Sequence, residues 1–186
     1  MIPKQPHGAR IEKLRSAVAA GGMDAFLVSH AANRTYLSGF TGSSGYLLIT
    51  GKQALLATDS RYYEQVKREA PGFDLFPLKT YGARWLVDAA ASLSSRKIGF
   101  ETASLTHAAY RQFADAASKD GAGLQLVPAE GMVERLRIVK EPDEVELVRR
   151  TSVLVESALK HIQSTMKPGM SERQVAWELE KFLREE

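Results

Sequence analysis

A chain of 186 residues holds either one large domain or one ordinary domain and part of a second, and its composition, 44% hydrophobic and 25% charged, excludes a disordered or low-complexity polypeptide. Its 25 lysines and arginines face 22 aspartates and glutamates, a formal net charge of +3 with the signs interleaved, which excludes the clustered cationic stripe that tracks nucleic acid. Cysteine is absent, which excludes a disulfide framework, a thiolate nucleophile and cysteine-ligated zinc. No apolar run nears the ~20 residues of a bilayer span. Residues 1–8 lack the apolar core of a secretory signal, so a cytoplasmic protein with neither membrane nor nucleic acid as partner is expected.

Residues 9–21 read as a first helix: Ile11, Leu14, Ala17 and Val18 recur at helical spacing, and Gly21-Gly22 supplies a left-handed stop. Residues 24–29 follow as a short buried strand, and 33–37 as a helix or turn leading into the glycine-rich loop 39–45. Two apolar runs, 46–50 and 53–58, are separated by Gly51-Lys52, the length of a tight antiparallel hairpin. Ser60 can cap a helix carrying Tyr62, Tyr63 and Val66 that ends at Pro71-Gly72. Strand and helix then alternate over 73–78, 83–93, 97–101, 106–118 and 124–128. That alternation predicts an α/β fold, a three-layer domain with a mixed, mostly parallel sheet between helices.

After Val127-Pro128 the strand signals cease, so residues 1–130 are expected to form the first domain and 131–186 a linker and the opening helices of a second. Residues 133–139 read as a connecting helix. Glu141-Pro142-Asp143-Glu144 is a helix start, with proline at the first position and acids at the positive end of the dipole. Val148, Thr151, Val155, Leu159, Ile162 and Met166 mark one face of a helix of about 25 residues. Lys167-Pro168-Gly169 stops it, and Ser171 with Gln174 offers a capping box for a last helix whose apolar face is Val175, Leu179 and Phe182. Glu185 and Glu186 oppose the dipole at the end of that helix, and two amphipathic helices cannot bury all their apolar surface on each other. Either both pack back on the first domain or a second domain continues beyond them; the latter is the expectation.

Motifs that carry chemistry are sparse. His7, His30, His107 and His161 are far apart in sequence, and no His-Glu-x-x-His pair or Ser-His-Asp set is legible. His30, just after a strand, reads as a hydrogen-bonded structural residue ahead of a cleft residue. The loop 39–45 has glycine at every third position and hydroxyls at its tip, so its N–H groups can either cradle an anion or form a tight turn into the next strand. It is not a phosphate loop, a G-x-G-x-x-G fingerprint or a G-x-S-x-G elbow. In Thr58-Asp-Ser-Arg-Tyr62 an acid and a base stand two residues apart at a strand-to-helix junction. Either Asp59 caps the helix and pairs with Arg61, or Arg61 faces a ligand.

The string Asn33-Arg-Thr-Tyr-Leu-Ser-Gly-Phe-Thr-Gly-Ser-Ser-Gly45, followed by Thr58-Asp-Ser-Arg-Tyr62 with Glu64-Gln65, resembles the N-terminal, creatinase-like domain of the Xaa-Pro peptidases. Val133-Glu-Arg-Leu-Arg-Ile-Val-Lys140, Pro142-Asp-Glu144, Arg149-Arg150 and Met166-Lys-Pro-Gly-Met-Ser-Glu172 resemble the entry to their pita-bread metallopeptidase domain. The resemblance implies a cytosolic hydrolase that removes an N-terminal residue preceding proline, using two divalent ions, often manganese or cobalt, to activate water. The family's ligands, two aspartates, a histidine and two glutamates, match no position in this sequence, so the chain itself is expected to bind no metal and to supply no catalytic residue. The resemblance also implies a homodimer, in which the first domain turns a loop toward the neighbouring subunit's active site. On that basis Phe40, and after it Arg61, are the candidates for lining a pocket for a proline-containing peptide. Ser38 and Ser44 stand where threonine and alanine are commoner. Relatives of the same architecture offer two alternatives, a chaperone-like binding module without the ligands and a creatinase-like amidinohydrolase.

Overall fold

Ala25–Val28 is apolar at every position because both of its faces are covered: Phe26 and Val28 join one hydrophobic cluster, Ala25 and Leu27 the other. This strand, β1, is central to the six-stranded sheet of the computed structural model, which describes residues 7–79, 82–119 and 123–185. The other strands are β2 (Tyr46–Thr50), β3 (Ala54–Thr58), β4 (Asp74–Pro77), β5 (Lys97–Glu101) and β6 (Gln125–Ala129), in the order β4-β3-β2-β1-β5-β6. The β1–β2 and β2–β3 pairs are antiparallel, whereas β3–β4, β1–β5 and β5–β6 are parallel. The sheet is therefore mixed and mostly parallel, as the alternation of elements predicts.

Helices α1 (His7–Ala20), α2 (Ala31–Ser38) and α3 (Tyr63–Glu69) cover one face, where Leu14, Leu37 and Val66 join Phe26, Leu47, Ile49 and Leu56. Helices α4 (Arg84–Ser92) and α5 (His107–Lys119) cover the other, where Trp85, Leu86 and Phe113 join Leu27, Leu48 and Ile98. Each fully buried side chain of this size contributes about 1.5–3 kcal/mol of transfer free energy, so the layers are held chiefly by these central positions. Gly99 is required in a central strand because a Cβ there would collide with Met23 Sδ and stand 2.8 Å from the Phe26 ring.

Two local details differ from what composition suggests. The β2–β3 turn is the two residues Gly51-Lys52, yet Gly51 does not adopt a positive φ. Instead the Thr50 hydroxyl accepts from the N–H groups of Lys52 (3.3 Å) and Gln53 (2.9 Å), so a side chain closes the turn. After β3 the chain makes a 3₁₀ turn, Ser60–Tyr62, before α3, and its cap is Asp59 and not Ser60: the carboxylate accepts from the Arg61 N–H at 3.1 Å.

The chain divides into two compact units, Met1–Ile138 and Val139–Glu186. The first takes in α6 (Met132–Ile138), whose Val133 is fully buried in the α1–α2 side of the core. The second consists of α7 (Pro142–Thr165) and α8 (Glu172–Glu185). The Glu141 N–H donates to Glu144 at 3.0 Å, and the Ser171 and Gln174 N–H groups bond reciprocally to Gln174 and Ser171 at 2.8 and 3.4 Å, so both helix starts are capped as the sequence predicts. The apolar face predicted for α7 is only partly used. Ala158 is buried and Leu154 and Ile162 half-buried, while Val148, Val155, Leu159 and Met166 remain 59, 48, 55 and 56% exposed. A single partner helix covers one ridge of an amphipathic stripe and leaves the next uncovered.

Candidate functional site

The loop between α2 and β2 is built from its two ends inward. Gly39 closes α2 with φ +79°, its N–H returning to the Thr35 carbonyl, and a Cβ there would stand 3.0 Å from the Glu69 carbonyl oxygen. Phe40 then turns completely inside, its ring edge-on to Tyr62 at 5.8 Å and lying over Gly42, where a Cβ would overlap it. The residues the loop presents to solvent are Thr41 and Ser43, and Phe40 is the wedge beneath them.

Polar groups fasten every stage of this turn. Buried Arg34 donates to the carbonyls of Gly42 (2.6 Å) and Gly45 (2.8 Å), and Thr58 donates to the Ser44 carbonyl (2.8 Å). The Phe40 N–H is taken by Ser38, and the Phe40 carbonyl accepts from Thr35. From α3, one Glu69 oxygen accepts from the Thr41 N–H (3.0 Å), the Thr41 hydroxyl (2.9 Å) and Gln65 (2.9 Å). Burial works against the Glu69 charge, but those donors prevail and hold its pKa below the ordinary carboxylate value. Ser43 and Tyr62 share a 2.6 Å hydroxyl pair. With the Phe40 and Thr41 amides already used by the chain's own oxygens, the loop is a fastened turn and those two amides are closed to an external anion.

Asp59 and Arg61 form the predicted pair in bidentate geometry, Nε to Oδ1 at 2.8 Å and a terminal nitrogen to Oδ2 at 2.9 Å. Hydrogen bonding to Arg61 lowers the Asp59 pKa. The guanidinium also lies 5.3 Å from the centre of the Tyr62 ring, and Arg61 is exposed. It stands at the edge of the fastened loop, as does Ser44, and both border the same open cavity.

A second polar cluster was not legible as a site. Glu101, 5% exposed at the end of β5, accepts from the N–H groups of Ser29 (2.7 Å) and His30 (2.6 Å), from the hydroxyls of Ser29 and Ser104, and from Asn33 (2.7 Å). The same Asn33 nitrogen donates to Glu134 (2.5 Å), and its oxygen accepts from Arg137 (2.8 Å). Asn33 thus ties the ends of β1 and β5 to α6. His30 takes part through its backbone, with its side chain exposed. The only sequence signal for this cluster is a glutamate closing an otherwise apolar strand, Lys97–Glu101.

Among the described residues no group of three or more His, Asp or Glu could hold a metal ion. Among them, too, no helix is long and apolar enough to cross a membrane.

Residues 10–139 match the family model of the creatinase/prolidase N-terminal domain. A peptidase of Bacillus subtilis, YqhT, itself uncharacterized, is 34% identical over 175 residues, covering 94% of this chain and 48% of its own length. Among solved structures, the Xaa-Pro dipeptidase from Bacillus anthracis superimposes with a TM-score of 0.87 at 32% identity over 96% of this chain and 49% of that one. The N-terminal domain of the cytoplasmic peptidase PepQ from Mycobacterium tuberculosis H37Rv does so with a TM-score of 0.63 at 38% identity, over 69% of this chain and 98% of that domain. The chain therefore spans about half the length of the full-length relatives it matches, as those two coverages state.

Proposed function

The chain belongs to the creatinase/prolidase N-terminal domain family, and from that membership we propose that it is the N-terminal portion of a metal-dependent Xaa-Pro peptidase, which hydrolyses the bond between an N-terminal residue and proline. The observation that carries this reading is the match of nearly the whole chain to about half of an Xaa-Pro dipeptidase. In this reading the chain supplies no catalytic group. Two divalent ions, manganese or cobalt, belong to the remainder of the parent, and no step of the reaction is assigned to a residue here. Residues 131–186 are a linker and the opening helices of that catalytic domain. The first unit serves a cytoplasmic homodimer, and its loop, wedged by Phe40 and bordered by Arg61, lines the approach of a proline-containing peptide.

Two proteins test the proposal. The purified 186-residue chain, given an Xaa-Pro dipeptide and manganese, is expected to show no turnover, whereas the product of the complete gene is expected to release free proline. Turnover by the first would overturn the placement of catalysis elsewhere, and its absence from the second would overturn the peptidase reading.

A further inference from the structure

Proline lacks the backbone N–H that a sheet ladder uses, so within a strand it is tolerated where that N–H would point away from a neighbour. The inner strands β1, β2, β3 and β5 contain no proline, whereas each edge strand contains one, Pro77 in β4 and Pro128 in β6. Adjacent bonds fix the direction of both. The Leu78 N–H donates to the Thr58 carbonyl of β3 at 2.8 Å, and N–H groups alternate sides along a strand. Phe76 therefore also faces β3, and Leu75 and Pro77 face outward. On the opposite edge the Gln125 N–H donates to the Arg96 carbonyl at 2.7 Å, so Val127 and Ala129 face β5, and Leu126 and Pro128 face outward. Both free edges of the sheet thus carry a proline at an outward position, and both prolines are exposed.

Within the two edge strands the one charged residue is Asp74, at the start of β4. Leu75, Phe76, Leu126 and Val127 are apolar and half-buried, a composition that invites a further strand. The outward donors are few. Ahead of β4 the Phe73 N–H is taken by the Ala70 carbonyl at 3.0 Å, so the outward N–H within that strand is Leu75. Within β6 it is Leu126, and beyond Pro128 the Glu130 carbonyl accepts from Arg135.

We propose that Pro77 and Pro128 are guards that stop the sheet from being extended by a second copy of this chain. A strand laid on either edge would meet one N–H where the ladder offers two, would leave a carbonyl unbonded against a pyrrolidine ring, and would be held off by that ring. Both edges need a guard. An edge left open would pair with its own copy about a two-fold axis, and two open edges would pair head to tail without closing. The proposal rests on backbone direction and is independent of the peptidase reading.

Pro77→Thr/Pro128→Thr restores both N–H groups at exposed positions with a strand-forming residue. Pro71→Thr, in the exposed turn before β4, controls for the loss of a proline elsewhere. Amide exchange is measured residue by residue at low and high concentration of the 186-residue chain, with light scattering alongside. In the parent and in Pro71→Thr the Leu75 and Leu126 amides are expected to exchange at rates independent of concentration. In the double variant both are expected to slow at least about tenfold on concentration, as the mass rises. Each single variant is expected to gain protection at its own edge, Leu75 or Leu126, so the outcome does not depend on the double variant alone. Protection of the inward Phe76 and Val127 amides reports an intact sheet. Concentration-dependent protection of Leu75 or Leu126 in the parent or in Pro71→Thr would overturn the proposal. So would edge variants with an intact sheet whose mass and exchange ignore concentration, or whose association leaves both amides fast.

Discussion

Replacing Glu101 tests the most heavily bonded carboxylate of the fold. One of its oxygens accepts from the Ser29 and His30 N–H groups at 2.7 and 2.6 Å, and the other from Asn33 at 2.7 Å, at a site 5% exposed. In Glu101→Ala those three donors lose their acceptor at once. A buried donor without an acceptor costs about 1–3 kcal/mol, and partial relaxation toward water places the expected loss at about 3–5 kcal/mol. Glu101→Gln is the sharper probe, because it keeps the volume and one oxygen. Its NH2 must face either the two backbone donors or Asn33 Nδ2, and each arrangement sets donor against donor, for an expected loss of about 2–3 kcal/mol. Urea unfolding followed by Trp85 fluorescence in a Trp177→Phe background reads the first unit alone, and amide exchange at Ser29 and His30 should accelerate in both variants. A loss below about 1 kcal/mol in Glu101→Ala, or a glutamine variant as stable as the parent, would refute the claim that the carboxylate organises this edge.

Gly42→Ala drives a Cβ into the Phe40 ring and is expected to cost about 1–3 kcal/mol by thermal or urea unfolding, with the loop amides exchanging faster. Arg34→Lys keeps the charge but cannot span the carbonyls of Gly42 and Gly45, so a loss of about 1–3 kcal/mol is expected even though the cation survives. The Glu69 pKa is depressed in the folded chain, so its contribution to stability is present above the unfolded value of about 4.3 and is lost as pH falls through the lower folded one. Glu69→Gln should remove that part of the acid dependence, read as a flatter stability profile on the acid side and earlier exchange of the Thr41 amide.

The strands and helices were legible because each carries its own period. Ala25–Val28 and Tyr46–Thr50 are apolar on both faces, and Ile11, Leu14 and Val18 repeat at helical spacing. The Asp59–Arg61 pair was legible as well, since two residues of opposite charge beside a helix start need only local geometry to meet. What escaped is what depends on distant partners. Asn33 and Glu101 are 68 positions apart, Asn33 and Arg137 are 104, and nothing in either neighbourhood announces the meeting. Phe40 shows the same limit from the other side. The family resemblance offers Phe40 for lining a pocket, and only its packing against Gly42, Tyr62 and Arg34 reveals it as a buried wedge. The α7 stripe was visible in the sequence, but which of its ridges meets α8 was not, because two adjacent ridges are equally apolar.

These features are consequences of one sheet edge that is fastened at one place and open at another. Where β1 and β5 end side by side, an α/β sheet ordinarily leaves a crevice with free helix amides, the arrangement that receives phosphates and carboxylates. Here Glu101 is that carboxylate, supplied by the chain, and Asn33 passes its position on to Glu134 and Arg137 of α6. A domain whose crevice is closed in this way has turned the site into a fastening, so α6 is held to the sheet by hydrogen bonds as well as by the burial of Val133. The same edge a few strands away is not fastened. Beyond β3 and β4, where Asp59, Leu78 and Lys79 border an open cavity, no side chain of the described residues plays the part of Glu101. The contrast between a filled and an open position on one edge is why the loss of Glu101 or Asn33, which fasten β1, β5 and α6, should lower stability, whereas the loss of exposed Lys79 or Lys119 at the open position should not.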